Sequence, residues 1–256
     1  MSILDLFSLG GRAAIVTGGS KGLGEAMAQG LAEAGADVVI TSRHLDECAA
    51  VAERIAAATG RTIVPIEADV SKADDVGAMT QAALDRFGRI DVLVNNAGVN
   101  NRDATLDLSM DDWQTTVDIN LTGPLLCAKA VVPTMQKQQR GRIINLSSIL
   151  GLVGHPARSP YTATKGGLLN MTRCWAIEFA RDGITANAVC PGPFDTPLNQ
   201  PVKSNPELYK AFLQKIPMGR WGELDELTGV IVFLASDASS YMTGAAITVD
   251  GGWTAQ

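Results

Sequence analysis

Tyr161 and Lys165 are spaced i, i+4. On a helix that spacing puts both side chains on one face, about one turn apart. An unperturbed phenol, with a pKa of about 10, transfers protons poorly at neutral pH. A neighbouring ammonium favours the phenolate and lowers that value, which makes the pair a candidate acid/base unit. Ser148 lies 13 residues before Tyr161, just past the apolar run Ile143 to Leu146. A serine hydroxyl at the carboxyl end of a strand can donate to a substrate oxygen. Asn120 follows Val117-Asp118-Ile119 in a stretch that reads as helical, and Asn95-Asn96-Ala97-Gly98 closes another apolar run.

A different chemistry is written near the amino end. The run Ala13 to Val16 leads into Thr17-Gly18-Gly19-Ser20-Lys21-Gly22-Leu23-Gly24 and then a helical pattern. Glycines at a strand-to-helix turn let backbone N–H groups approach phosphate, and the helix amino end adds partial positive charge. The spacing is TGxxxGxG, wider than GxGxxG, because Met27 stands where a third glycine would fall. No Gly-Lys dipeptide occurs in the chain, which excludes a Walker A loop. Gly18 to Gly22 also matches the GxSxG of a hydrolase nucleophile elbow, but that arrangement needs an acid and then a late histidine, and none follows His155. The second apolar run, Val38 to Ile40, ends in Thr41-Ser42-Arg43 with no acid before Asp46. An acid at this point binds the ribose 2′-hydroxyl of NAD, whereas an arginine accommodates the 2′-phosphate of NADP. Ser42, Arg43 and Lys21 therefore favour NADP(H), with NAD(H) also served if Arg43 stacks on adenine.

Groups so far apart in sequence need a scaffold that gathers strand ends. Seven short apolar runs, at 13–16, 38–40, 63–66, 92–94, 143–146, 186–189 and 247–249, are bounded by Gly, Asp, Asn or Pro. They read as parallel strands buried on both faces. Amphipathic stretches at 24–33, 45–58, 74–87 and 168–180 alternate with them. The expected fold is α/β: a doubly wound, Rossmann-type, seven-stranded parallel sheet with helices on both faces, one domain over 1–256. A proline-rich segment at about 193–222 departs from the alternation and is a candidate substrate lid.

Composition narrows the function classes. Of 256 residues, 21 are Lys or Arg and 27 Asp or Glu, for a net charge of −6, which disfavours nucleic-acid binding. The four cysteines (48, 127, 174, 190) form no Cys-x-x-Cys, and His44 and His155 lie far apart, so no metal site is expected. No apolar run approaches 18 residues and the amino end lacks a signal-peptide pattern, so the expected location is the cytoplasm, with no membrane partner.

Taken in order, TGxxxGxG at 17–24, Asn95-Asn96-Ala97-Gly98, Asn120, Ser148, Tyr161-x-x-x-Lys165 and Pro191-Gly192 resemble the short-chain dehydrogenase/reductase family across the whole chain. The resemblance implies an NAD(P)(H)-dependent oxidoreductase working between a ketone and a secondary alcohol. It implies Tyr161 as general acid in reduction and base in oxidation. Lys165 would lower the phenol pKa and hold the nicotinamide ribose, Ser148 would bond the substrate oxygen, and Asn120 would position a water linking Lys165 to solvent. The pyrophosphate would lie on Ser20, Gly22 and Leu23 of the turn that begins at Gly18, and adenine on Asp69 and Val70. Asn96, Ala97 and Gly98 would line the adenosine ribose side, and Pro191, Gly192, Phe194 and Thr196 would meet the nicotinamide. A homo-oligomer, with a tetramer as the expected state, is also implied.

Two substrate classes remain open. Arg102, after Asn100-Asn101, is placed to grip a carboxylate, and this loop looks like that of gluconate 5-dehydrogenases. His155, and Arg158 beside it, precede Tyr161 and would face the same cleft. The expectation is a sugar acid or polyol. The alternative, a 3-oxoacyl-carrier-protein reductase, needs a basic docking patch outside the cleft, for which Lys129, Lys137, Arg140 and Arg142 are candidates. A remoter alternative is a non-catalytic nicotinamide sensor, which would be expected to have lost one of the four catalytic groups.

Overall fold

A computed structural model describes residues 2–256. The apolar runs form β1 (Ala13–Thr17), β2 (Asp37–Ser42), β3 (Ile63–Glu67), β4 (Val92–Asn95), β5 (Gly141–Leu146), β6 (Ile184–Pro191) and β7 (Ala246–Val249). They pair in the order β3-β2-β1-β4-β5-β6-β7, and every pairing is parallel. The order reverses between β1 and β4, and at such a switch point the connections leave to opposite faces and open a crevice at the strand ends.

Alternation along the strands sends side chains to two cores. Val16, Val38, Ile40, Val94 and Ile144 face α1 (Gly22–Glu33), α2 (Leu45–Thr59) and α9 (Thr228–Ala235). Ile15, Val39, Leu93 and Ile143 face α3 (Ala73–Phe87), α5 (Gly123–Gln138) and α6 (Ser159–Glu178). Helices α2 and α3 end at Gly60 and Gly88, both left-handed, where glycine carries no Cβ penalty. The expectation of strands buried on both faces holds for β1, β4, β5 and β6 but not for the edges: β3 and β7 are partly open. Each edge strand has a neighbour on one side only, which leaves the outer row of backbone groups without a partner.

Three local features bear on the site. The helix expected at 168–180 begins at Ser159, so Tyr161 lies in its first turn; Pro160 is placed early in the helix, where its missing N–H is no loss. The segment that breaks the alternation carries α7 (Gln200–Lys203) and α8 (Pro206–Leu213), and Trp221, Ile216 and Val202 pack with Trp253 of the carboxyl end. Between α4 (Met110–Val117) and α5, residues 118–122 form a π-helical turn with Asn120 in its middle. No helix among the described residues is long and apolar enough to cross a membrane.

Candidate active site

The crevice at the switch point is stitched by side chains. Thr17 Oγ1 accepts from the backbone N–H groups of Asn96 (3.0 Å) and Ala97 (3.1 Å), and Asn96 Nδ2 donates to the carbonyls of Thr17 and Gly18, both at 2.9 Å. This fixes the glycine turn against the loop after β4. A Cβ at Gly24 would lie 2.0 Å from the Gly18 carbonyl oxygen, so the close packing of turn on helix admits only glycine there. Gly18, Ser20, Lys21, Gly22, Leu23, Ser42, Arg43, Asp69, Val70, Asn96, Ala97 and Gly98 line the resulting groove. All the residues expected to hold a dinucleotide on this side are thus together, and the cradle at the amino end of α1 fits a pyrophosphate.

Two acids in this groove are held by hydrogen bonds, Glu47 by partners distant in sequence and Asp69 by one two residues away. Glu47, in the first turn of α2, accepts from Ser20 Oγ at 3.0 Å and pairs with Lys21 at 3.3 Å. Those hydrogen bonds, Ser20 first and then Lys21, hold its carboxyl below its ordinary value. Its only signal in the sequence is an acid four residues after Arg43. Asp69 closes a turn by accepting from Ser71 N and Oγ; burial pushes its carboxyl up, but these bonds outweigh it.

The chemistry-bearing groups meet where β5 ends. A buried chain runs from Asn95 Nδ2 to Asn145 Oδ1 (2.8 Å) and from Asn145 Nδ2 to Thr172 Oγ1 (2.8 Å), tying β4, β5 and α6 together. Ser147 Oγ donates to the Lys165 carbonyl at 2.9 Å, which lays the turn after β5 on α6. Ser148 therefore faces Tyr161, and Lys165 Nζ lies 5.7 Å from the Tyr161 ring centre. Lys165 is buried; Nζ donates to the Leu146 carbonyl at 2.6 Å, and burial pushes its pKa down to about 8.

Burial raises the Tyr161 pKa, and the groups that oppose it are the Ser148 hydrogen bond and the charges of Arg102 and Arg158. The Lys165 ammonium donates to the Leu146 carbonyl while lying over the Tyr161 ring. Asn120 is buried in the π-helical turn. Its Oδ1 accepts from Val99 N at 2.8 Å and its Nδ2 donates to Val99 O at 2.9 Å, so both ends of the amide hold the loop after β4. A longer Nδ2 contact reaches Thr164 Oγ1 at 3.3 Å.

The outer half of the cleft is lined by Arg102, His155 and Arg158 together with Pro191, Gly192, Phe194 and Thr196. Arg102 Nη2 donates to the Leu198 carbonyl at 2.9 Å, linking the loop after β4 to the segment before α7. The His155 ring packs on Phe212 of α8, with centres 5.7 Å apart. Two of the candidate docking cations are already engaged: Arg140 and Arg142 both pair with Asp237, and Arg142 is buried. Arg142 sits within β5 and Arg140 just before it, at the strand end opposite the cleft.

Comparison with known proteins agrees with this geometry. The family model described as enoyl-(acyl carrier protein) reductase matches residues 18–254. A 3-oxoacyl-[acyl-carrier-protein] reductase of Synechocystis is 42% identical over 96% of this chain and 98% of its own. A 2-dehydro-3-deoxy-D-gluconate 5-dehydrogenase of Escherichia coli is 40% identical over 99% of this chain and all of its own. The crystal structure of a gluconate 5-dehydrogenase from Burkholderia cenocepacia, in complex with NADP and tartrate, superposes with a TM-score of 0.96 at 38% identity, covering both chains completely. With the ordered motifs, the seven-stranded parallel sheet and these full-length likenesses in hand, the chain belongs to the short-chain dehydrogenase/reductase family of oxidoreductases acting between CH–OH and C=O.

Proposed function

We propose that the protein is an NADP(H)-preferring oxidoreductase that interconverts a ketone and a secondary alcohol on a sugar acid or related polyol. The observation that carries this reading is the meeting of Ser148, Tyr161 and Lys165 at the end of the crevice whose other end is the glycine cradle. When bound, the dinucleotide supplies or accepts the hydride. The chain's own residues manage position and the proton. Ser148 donates to the substrate oxygen and stabilises charge as it develops there. Tyr161, kept protonated by burial, delivers a proton to that oxygen in reduction and takes it back in oxidation. Lys165 holds a positive charge beneath the ring, and Asn120 keeps the Val99 loop against the site. The segment at about 193–222 acts as a lid, because Arg102 and His155 both reach residues on it. In this reading the enzyme is cytoplasmic, works as a homotetramer, and takes neither nucleic acid nor membrane as partner.

Arg43 at the end of β2 supports the choice of NADP(H). Arg43→Ala is expected to weaken NADPH binding about tenfold or more while leaving NADH binding nearly unchanged. Titration of nucleotide fluorescence checks this; equal losses for both nucleotides would remove the preference.

The substrate class is tested by oxidation of NADPH with 5-ketogluconate and, separately, with an acetoacetyl thioester. Turnover of the sugar acid, with a KM raised about tenfold or more in Arg102→Ala, is the expected result. Turnover of the thioester alone would favour the carrier-protein reading, which the 42% identical relative keeps in view. Against it stands the loss of Arg140 and Arg142 to Asp237.

A further inference from the structure

Two guanidiniums stand in the outer cleft with no acid to match them. Among the described residues neither Arg102 nor Arg158 forms an ion pair, and no Asp or Glu lines the cleft. Arg158 is the unusual member, being 8% exposed. A buried cation without a carboxylate is destabilising, and natural chains keep one only where another interaction offsets the desolvation.

The backbone around Arg158 adds strain to this arrangement. Ala157 has a φ of +56°, a left-handed conformation that residues with a Cβ seldom adopt outside functional turns. Its carbonyl accepts from Arg158 Nη1 at 2.7 Å, so the strained residue also orients the guanidinium. Arg158 is the residue before α6, and the amino end of that 20-residue helix adds partial positive charge at the same place. Burial pushes the Arg158 pKa down to about 10, and the nearby charge of Arg102 acts in the same direction. At neutral pH both side chains nonetheless remain cationic, so the cleft carries two unmatched positive charges beside the Tyr161 hydroxyl.

We propose that Arg158 is a specificity-determining residue, the inner arm of a carboxylate clamp whose outer arm is Arg102. The clamp restricts this site to hydroxy and keto acids and rejects the corresponding uncharged polyols. One N–H of Arg102 is already engaged by the Leu198 carbonyl, and one of Arg158 by the Ala157 carbonyl. The remaining donors of each fork are left for a shared anion, which the substrate brings. The inference narrows the proposed substrate class from sugar acids and polyols to the acids and rests on that reading for the reaction, but its test does not require turnover.

The test uses the full chain loaded with NADPH and two matched probes. Tartrate carries two hydroxyls and two carboxylates; threitol has the same carbon skeleton with both carboxylates reduced to alcohols. Calorimetry on the wild type is expected to detect tartrate and to find threitol at least about thirtyfold weaker. Arg158→Met is expected to lose tartrate binding by about the same factor, and Arg158→Lys, which keeps the charge but not the fork, to recover part of it. NADPH affinity and melting temperature, measured on both variants, report whether the fold survives, and the lysine variant carries the test if the methionine variant does not fold. Equal binding of tartrate and threitol by the wild type, or undiminished tartrate binding in a folded Arg158 variant, would overturn the proposal. If tartrate binding depends on Arg158 but no keto acid is reduced, the clamp stands and the reaction fails. If keto acids are reduced with an unchanged KM in Arg158→Met, the clamp fails and the reaction stands.

Discussion

Replacing Tyr161 with phenylalanine is expected to lower kcat for ketone reduction by about 10²–10⁴-fold while NADPH affinity stays unchanged. The hydroxyl is the group on the first turn of α6 that meets Ser148, and so can give a proton to an oxygen held there. Phenylalanine keeps the ring that Lys165 Nζ approaches, so the packing is preserved and the loss isolates the proton transfer. The direction of the pH dependence follows from the same placement. Burial raises the phenol pKa, so at neutral pH Tyr161 is in its acid form, the form reduction uses. Oxidation uses the phenolate. Its kcat/KM should therefore climb with rising pH, while that of reduction falls as the phenol ionises. Steady-state rates in both directions on wild type and Tyr161→Phe check both points. A variant retaining most of its activity would move the acid to another group, and opposite pH slopes would reverse its role.

The parts of this design that depend on local spacing are legible in the sequence alone. β-branched runs closed by Gly, Asp or Asn become the seven strands, because in a parallel sheet flanked by helices the apolar run is the strand. The glycine turn is legible because a residue as small as glycine is needed where α1 packs on Gly18. What stays hidden depends on contacts between distant segments. Glu47 on Ser20 and Lys21 joins α2 to the turn before α1. The start of α6 at Ser159 is obscured by Pro160, which reads as a breaker in sequence but is tolerated in a first turn. Arg140 and Arg142 look like surface cations in a local window. Only the sheet brings them to Asp237, which lies 95 residues beyond Arg142. The direction of Lys165 is likewise beyond the spacing rule. An i, i+4 pair specifies a shared face, while the Leu146 carbonyl at the end of β5 decides where the ammonium points.

Lys165→Met should uncouple stability from activity. Lys165 is 4% exposed, and its ammonium has a carbonyl for a partner rather than a carboxylate. Its folded pKa of about 8 lies below the value of about 10.4 expected in an unfolded chain. Between these values the unfolded state binds more protons than the native one, so stability rises with pH across that window. Below about pH 8 the penalty for burying the charge is present in full, on the order of 3 kcal/mol. Methionine has a similar shape without the charge. The variant should therefore melt at a higher temperature than the wild type at pH 7, with the difference shrinking toward pH 10. Its turnover should nonetheless fall by about 10²-fold or more, because the fixed positive charge beneath Tyr161 is gone. Thermal melts at the two pH values, paired with initial rates, make the comparison. A variant that is less stable at pH 7 would mean that Lys165 is held for structure. A more stable and inactive one would mean that the fold tolerates a buried cation for the sake of the reaction.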